Sequence, residues 1–420
     1  MRVFALAGLA ACIAAPVMAQ TSAPASGLTP AEVFAEAGAA CAADGGALWG
    51  VDLCTPVLLV DPATRTIHAN RKGESDALSA EGGLFTGTLP ATVNIANTAM
   101  EWDGVRWAML MQPLPRDPVR RRALVMHERW HGVQEALGLP AHSPTPAHLD
   151  SEEGRVLMRL EWRALAAALN ADGDAARRLA VSDALAFRAA RRALGSGEDE
   201  RALEMNEGLA EYTGLKLSGG DAKALAIAAL GAAEGGATYV RSFAYASGPA
   251  YGLLLDEAAP DWRQGLKGTD DPGVLLAAAL ELSAGDEASA EGRYGGAAIR
   301  TEEARRAEQA RVVAAGWTAK LVDGPRLRLP FRSMQIAFDP GKIIALPPHG
   351  SVYPTLRVVD VWGVLEVSDG ALIDDNWSGV TVVAPASAEA VEGPGWTLRL
   401  NAGWRLEAGE RAGDFRLVQG

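Results

Sequence analysis

Apolar and polar positions follow three rhythms along this chain, and each change of rhythm marks a new part of it. A short helix is expected to open at Pro30, with Thr29 as N-cap and the proline at the first helical position, where its missing N–H costs nothing. Strand-like runs follow at Leu48–Val60, Thr64–Ala69 and Thr98–Met111. Asp61-Pro62 separates the first two, and Asp103-Gly104 splits the third into a hairpin. At Asp117-Pro118 the period becomes helical. That cap and the stop at Gly138 frame a helix of about 20 residues, or ~30 Å. Further helical patterns run at Asp150–Asn170, Asp174–Leu194, Asp199–Leu217, Ala222–Leu230, Thr238–Ala246, Ala250–Glu257 and Gly273–Leu282. The Gly/Ala/Ser-rich stretch 284–300 reads as a linker, and Thr301–Leu321 as one more charged helix.

Beyond Pro325 the rhythm returns to strands, at Arg326–Pro330, Ile343–Leu346, Leu356–Val367, Val380–Ala384, Trp396–Leu400 and Phe415–Val418. The expected fold class is α+β: a mixed N-terminal sheet over 28–116, a helical part over 117–283, and a helix with a small all-β sandwich or barrel over 301–420. Trp362, Trp377, Trp396 and Trp404 of that last part are read as core aromatics rather than a carbohydrate platform.

With 420 residues, two or three domains are expected. Lys and Arg number 39 against 52 Asp and Glu, a net charge of −13. That balance excludes a generic nucleic-acid binder, which needs a concentrated basic surface, and argues against docking on an anionic membrane. Arg2, the apolar run Val3–Ala15, Pro16 and the small-residue site Val17-Met18-Ala19 read as a signal peptide, residues 1–19, and hence an exported protein, periplasmic or secreted. Leu9-Ala10-Ala11-Cys12 offers the alternative of a lipid anchor at Cys12. No later run is long and apolar enough for a transmembrane segment. Export would leave Cys41 and Cys54 as the mature cysteines, and a disulfide between them is the economical reading in an oxidising compartment.

The chemistry concentrates in His127-Glu128-Arg129-Trp130-His131, inside the capped helix. Positions i and i+4 lie one above the other on a helix face, so both imidazoles can hold one Zn²⁺ with Glu128 beside them to act on a metal-activated water. Chance would produce such a pentad in only about one chain in two hundred of this composition. Arg129 implies that the outer helix face is solvated or paired. A catalytic site needs a third protein ligand and an open fourth position. His142 and His148 follow proline-rich loops and are read as surface residues. Asn206-Glu207-Gly208-Leu209-Ala210-Glu211-Tyr212 is the stronger source: Glu207 and Glu211 share a helix face, and Glu204 is expected to join them.

The pair His127–His131 and Asn-Glu-Gly-Leu-Ala-Glu-Tyr resembles the gluzincin metallopeptidases, most closely their aminopeptidase branch, over residues 98–260. The resemblance implies a zincin-like fold for the helical part, Glu207 as third zinc ligand, and Glu211 as partner of a ligand imidazole. The 75 residues between His131 and Glu207 exceed the short gap of those enzymes, and an inserted helical pair at Asp150–Leu194 accounts for the excess. Tyr245-Ala-Ser-Gly248 is similar to their Tyr-x-Lys-Gly stretch, which implies Tyr245 as oxyanion donor. Tyr251 is the other candidate from this stretch, with the alternative that both tyrosines are core aromatics. Arg241, one turn earlier, either binds a substrate carboxylate or pairs with a surface acid.

Thr98-Ala-Met-Glu101-Trp echoes their amine-binding segment at Met100 and Glu101, and implies that Glu101 grips a free amine. The neighbouring Val105–Met111 would then be the edge strand offered to an extended peptide. The expected function is an exported zinc-dependent metallopeptidase acting on a peptide or protein substrate, with Glu128 as general base. The alternative is a non-catalytic secreted binding protein of the same fold that uses zinc only structurally.

Overall fold

The computed structural model describes residues 27–339 and 342–420, and the expected signal peptide and Cys12 anchor lie outside them. Among the described residues no helix is long and apolar enough to cross a membrane. The chain is α+β, with a mixed N-terminal sheet, a helical middle and an all-β C-terminal region.

Helix α1 (Pro30–Asp44) opens with the expected cap: the Thr29 side chain accepts from the Glu32 N–H, and Glu32 reaches back to Thr29. Cys41 on α1 is disulfide-bonded to Cys54, which pins this helix to the chain ahead of the sheet. Six strands follow: β1 (Val57–Val60), β2 (Thr66–Ala69), β3 (Leu78–Glu81), β4 (Leu84–Thr88), β5 (Thr98–Trp102) and β6 (Val105–Met111). Only the last four residues of Leu48–Val60 are strand, because left-handed glycines at 45, 46 and 50 turn the chain before it. The hairpin β3–β4, unforeseen in the sequence pattern, closes on Gly82-Gly83. Asp103 and Gly104 both adopt positive φ and close the expected β5–β6 hairpin.

The sheet order is β3-β4-β2-β1-β6-β5, with β1 and β6 parallel. This corrects the expectation for Val105–Met111: β6 is interior and β5 is the edge strand. Val57, Leu59, Ala108 and Leu110 turn one sheet face toward Val33, Phe34 and Ala37 of α1 and Val125 of the next helix.

That helix, α2 (Pro118–Val133), is capped by Asp117, whose side chain accepts from the Arg120 N–H at 2.8 Å. Helices α3 (Glu152–Asn170) and α4 (Asp174–Arg192) form the anticipated pair. The pattern at Asp199–Leu217 resolves into α5 (Gly197–Leu203), a π-turn at Glu204–Gly208, and α6 (Leu209–Leu217). After α7 (Ala222–Ala233), the two short patterns around 238–257 merge into one helix, α8 (Phe243–Ala258), which runs through Pro249. Then come α9 (Pro272–Ala279), α10 (Glu287–Glu291) and α11 (Gly296–Thr318). The stretch expected as a linker is therefore largely helical. Ala290 and Ile299 are buried in the helical core, and Arg293 and Tyr294 both bind Asp183 of α4.

Among the described residues, twelve strands follow, from β7 (Arg326–Pro330) to β18 (Phe415–Gln419). They form sheets of seven and five strands that share one core, with Leu327, Val380 and Val382 from one and Val358, Leu365 and Leu398 from the other. The result is a sandwich. Trp362 and Trp396 are buried in it and Trp404 packs against it. Trp377 departs from expectation: it sits at φ 52° in a turn and is 39% exposed.

Candidate metal centre

Two close helix approaches assemble the site. A Cβ on Gly214 of α6 would lie 2.6 Å from the Ala123 carbonyl of α2, so only glycine lets these helices meet this closely. Gly208 at the end of the π-turn lies against Gly248 of α8, where a Cβ on either would strike the other's backbone. The first contact brings α6 against the histidines, and the second brings α8 against Glu207.

His127 and His131 present Nε2 atoms 3.3 Å apart, and Glu207 Oε2 lies 3.4 Å from each. The other ring nitrogens are committed. His127 Nδ1 is 2.9 Å from Glu211 Oε2, and His131 Nδ1 is 2.9 Å from Gln134 Oε1. Both partners are acceptors, so each Nδ1 carries a proton and donates it, and with the rings neutral both Nε2 lone pairs would point at one spot. Gln134 is itself held by donating to the Pro140 carbonyl and to Asn206 Oδ1, both at 2.9 Å. Asn206 Nδ2 donates to Ser143 Oγ at 2.7 Å and to Glu207 Oε1 at 3.2 Å, and Tyr245 OH donates to Glu207 Oε2 at 2.5 Å. The Tyr245 ring stacks on His127 at 5.5 Å and 5°.

The electrostatics of this pocket favour positive charge. Burial favours a neutral His127, but hydrogen bonds to Glu207 and Glu211 outweigh it and hold its pKa well above the usual range. Burial likewise opposes the charge on Glu207, yet hydrogen bonds from His127 and His131 keep its carboxyl well below the usual range. Glu128 is fully buried, and neither carboxylate oxygen has a hydrogen-bond partner. Its oxygen and the two imidazole nitrogens lie within 4.8 Å of one another. Burial, with Glu207 and Glu211 adding to it against the pull of both histidines, raises the Glu128 pKa to about 7.

This donor set fits a zinc ion. Zinc binds imidazole and carboxylate at about 2.0–2.1 Å, and ligand atoms at the corners of such a tetrahedron stand about 3.3 Å apart. The separations of 3.3 and 3.4 Å match that spacing, and the orphaned carboxylate of Glu128 sits where a cation would offset the cost of its burial.

Some sequence-predicted residues lie elsewhere. Glu204 turns away from the histidines and binds Arg188, because the widened π-turn breaks the i, i+3 alignment. Tyr251 is fully buried and donates to Glu161 at 2.8 Å. Six residues past Tyr245 on one unbroken helix, it points about 240° round from it. Arg241 is buried, not paired with a surface acid, and donates to the Ser143 carbonyl at 3.1 Å. His148 is no surface residue either: its Nε2 is 2.7 Å from buried Glu200. His142 is exposed. Arg129 is 2% exposed and donates to the Ala37 carbonyl at 2.7 Å, so this helix face is paired against α1.

Glu101 is exposed on β5, opposite Arg106, whose Nη2 reaches the His131 carbonyl at 3.3 Å. Gln134 and Ser143 were not foreseen. Gln134 had a signal, three residues past His131 on the same face, whereas Ser143 had none.

No protein-family model, curated protein or solved structure matches this chain.

Proposed function

We propose that this protein is an exported zinc-dependent metallopeptidase of gluzincin-like, zincin-type fold. The observation that carries the reading is the triangle of His127 Nε2, His131 Nε2 and Glu207 Oε2 at 3.3–3.4 Å. His127, His131 and Glu207 would hold the ion. Zinc bound there supplies Lewis acidity, which polarises a carbonyl and makes water acidic near neutral pH.

The remaining work falls to side chains. Glu211 and Gln134 fix the tautomer and tilt of the two imidazoles. Glu128, buried and without a hydrogen-bond partner, accepts a proton from the attacking water and returns it to the leaving amine. Tyr245, kept protonated first by burial and then by Glu207, would turn its one hydroxyl proton from Glu207 to the negative charge that develops on the carbonyl oxygen. The free edge of β5 offers main-chain groups to an extended peptide, and Glu101 at its end is exposed for a substrate amine. The Cys41–Cys54 disulfide supports export to an oxidising compartment.

The test is Glu128→Gln. Zinc content by elemental analysis should stay at the wild-type ratio, while peptide turnover falls by roughly 10²–10⁴-fold or more. A variant that keeps both metal and wild-type turnover ends this mechanism.

A further inference from the structure

The loop around Ser143 ties the metal centre to a second charged group. Ser143 Oγ accepts from Asn206 and lies 3.4 Å from Glu207 Oε1, while its carbonyl accepts from Arg241 Nη1 at 3.1 Å. One residue's width therefore separates Arg241 from a candidate ligand carboxylate. Arg241 is 5% exposed, and its electrostatic neighbours are Glu207, Tyr245 and Tyr353, the last from β10 (Ser351–Tyr353) of the sandwich. Burial lowers its pKa, and the pull of Glu207 and the two tyrosines does not reverse this.

Buried arginines elsewhere in the described residues show what is missing. Arg121 holds Glu36, Arg155 and Arg159 hold Glu303, Arg188 holds Glu204, and Arg191 holds Glu200. Among the described residues, only Arg129 and Arg241 are buried without a carboxylate in ion-pair range. Arg129 is wedged against α1, with Nε sealed from solvent. Arg241 differs. Both its Nε and its Nη2 lack a hydrogen-bond partner without being sealed off, so one whole edge of the guanidinium reaches accessible space, whereas Arg129 has only Nη2 in that condition. A guanidinium edge of that kind matches a carboxylate with two parallel hydrogen bonds. Glu207, the nearest acid, would be neutralised by the cation it helps to hold, which leaves Arg241 uncompensated.

We propose that Arg241 binds a carboxylate of the substrate, either its free C-terminus or an acidic side chain, and so selects anionic peptides at the metal centre. The word substrate rests on the peptidase reading; the carboxylate site itself does not. The chemistry required is a planar anion next to the scissile bond, within the span of one residue from Ser143.

The test uses the full zinc-loaded chain and three N-acetylated peptides of one sequence. One has a free C-terminus, one a C-terminal amide, and one is the amide with a glutamate next to the scissile bond. Wild type should show a KM on the order of 10- to 100-fold lower for the free acid or for the glutamate peptide than for the neutral amide. Whichever of the two is favoured identifies the source of the carboxylate. Arg241→Gln should erase that advantage through KM, the KM of the favoured acid rising to that of the neutral amide. Arg241→Lys, which keeps the charge but loses the paired geometry, should fall between. Equal wild-type KM for all three peptides overturns the proposal without any variant, as does an Arg241→Gln that slows all three equally.

Binding of N-benzoylglycine and its amide to the zinc-loaded chain, measured by calorimetry in wild type and in Arg241→Gln, separates the two readings. If no peptide is cleaved but the acid binds in preference to the amide and Arg241→Gln abolishes this, the carboxylate site stands and the peptidase reading falls. If peptides are cleaved and neither acid binding nor acid preference depends on Arg241, the reverse holds.

Discussion

Glu204 and Glu207 stand three residues apart on one π-turn, both buried, and their surroundings could hardly differ more. Glu204 faces a cluster of fixed charges: Arg188, Arg191 and Arg192 of α4 bind Glu161, Glu200, Glu204 and Asp271, with His148 and Tyr251 closing the rim. Glu207 faces two imidazoles and a phenol beside an orphaned carboxylate. In the first region each of the four carboxylates has at least one guanidinium of α4 within ion-pair range. In the second, Glu128, Glu207 and Glu211 have no arginine or lysine in ion-pair range among the described residues, and His127 is pushed toward its charged form. Buried charge that the protein balances itself holds the backbone in place. Buried charge it leaves unbalanced is there for something that comes and goes.

The comparison can be broken from either side. Arg188→Met should be the most damaging change. It leaves Glu204 and Asp271 to share Arg192 in the interior and is expected to cost about 3–5 kcal/mol in chemical denaturation. A loss below about 1 kcal/mol would mean that the cluster is not a structural support.

Acid should act on the same cluster. Burial opposes ionisation of Glu200 and Asp271, but Arg191 for the one and Arg188 with Arg192 for the other hold both carboxyls well below their ordinary range. Unfolded, they titrate near about 4. Their folded pKa values being the lower, the stability they contribute is complete above about pH 5 and is lost as the pH falls toward the folded values. The urea midpoint should drop over that interval. In Glu200→Gln, less stable at pH 7, it should drop less steeply. Parallel curves for the two proteins would remove Glu200 from the account.

On the metal side, Glu211→Ala should weaken zinc binding about 10- to 100-fold in chelator competition, since His127 loses the acceptor that orients it. The zinc-free chain should change little in stability. An unaltered zinc affinity would show that the imidazole needs no such partner. The smallest effect, and one of opposite sign to Arg188→Met, is expected for Glu128→Gln in zinc-free protein. Removing an unpaired buried charge should raise stability by up to about 1 kcal/mol. Clear destabilisation would mean that Glu128 has a structural partner after all.

Much of the metal centre is legible in the sequence because its first half is local. Two histidines at i and i+4 in a capped helix must share a face whatever the rest of the chain does. The hairpin at Asp103-Gly104, the cap at Thr29 and the Cys41–Cys54 pair are legible for the same reason. Glu204 was misread because a π-turn has no periodic signature: five extra-wide residues rotate one carboxylate away while leaving the apolar pattern intact. Tyr251 was misread because Pro249 suggests a break, whereas α8 runs through it and turns the second tyrosine toward Glu161. His148 and Arg241 looked like surface residues. Whether a loop histidine or an arginine is covered depends on segments 52 or more residues away, such as Glu200, or on Tyr353.

By itself the sequence determined the three rhythms of the chain, the helix ends, and the two imidazoles stacked on α2, since each follows from backbone periodicity over a few residues. Only the tertiary structure decided which carboxylates meet those imidazoles. His131 and Glu207 are separated by 75 residues, and their meeting depends on two glycine-lined helix contacts, Gly214 on Ala123 and Gly208 on Gly248. Periodicity states which face of a helix is apolar. It does not state what lies opposite that face, and the sign and number of charges brought together there distinguish a support from a site.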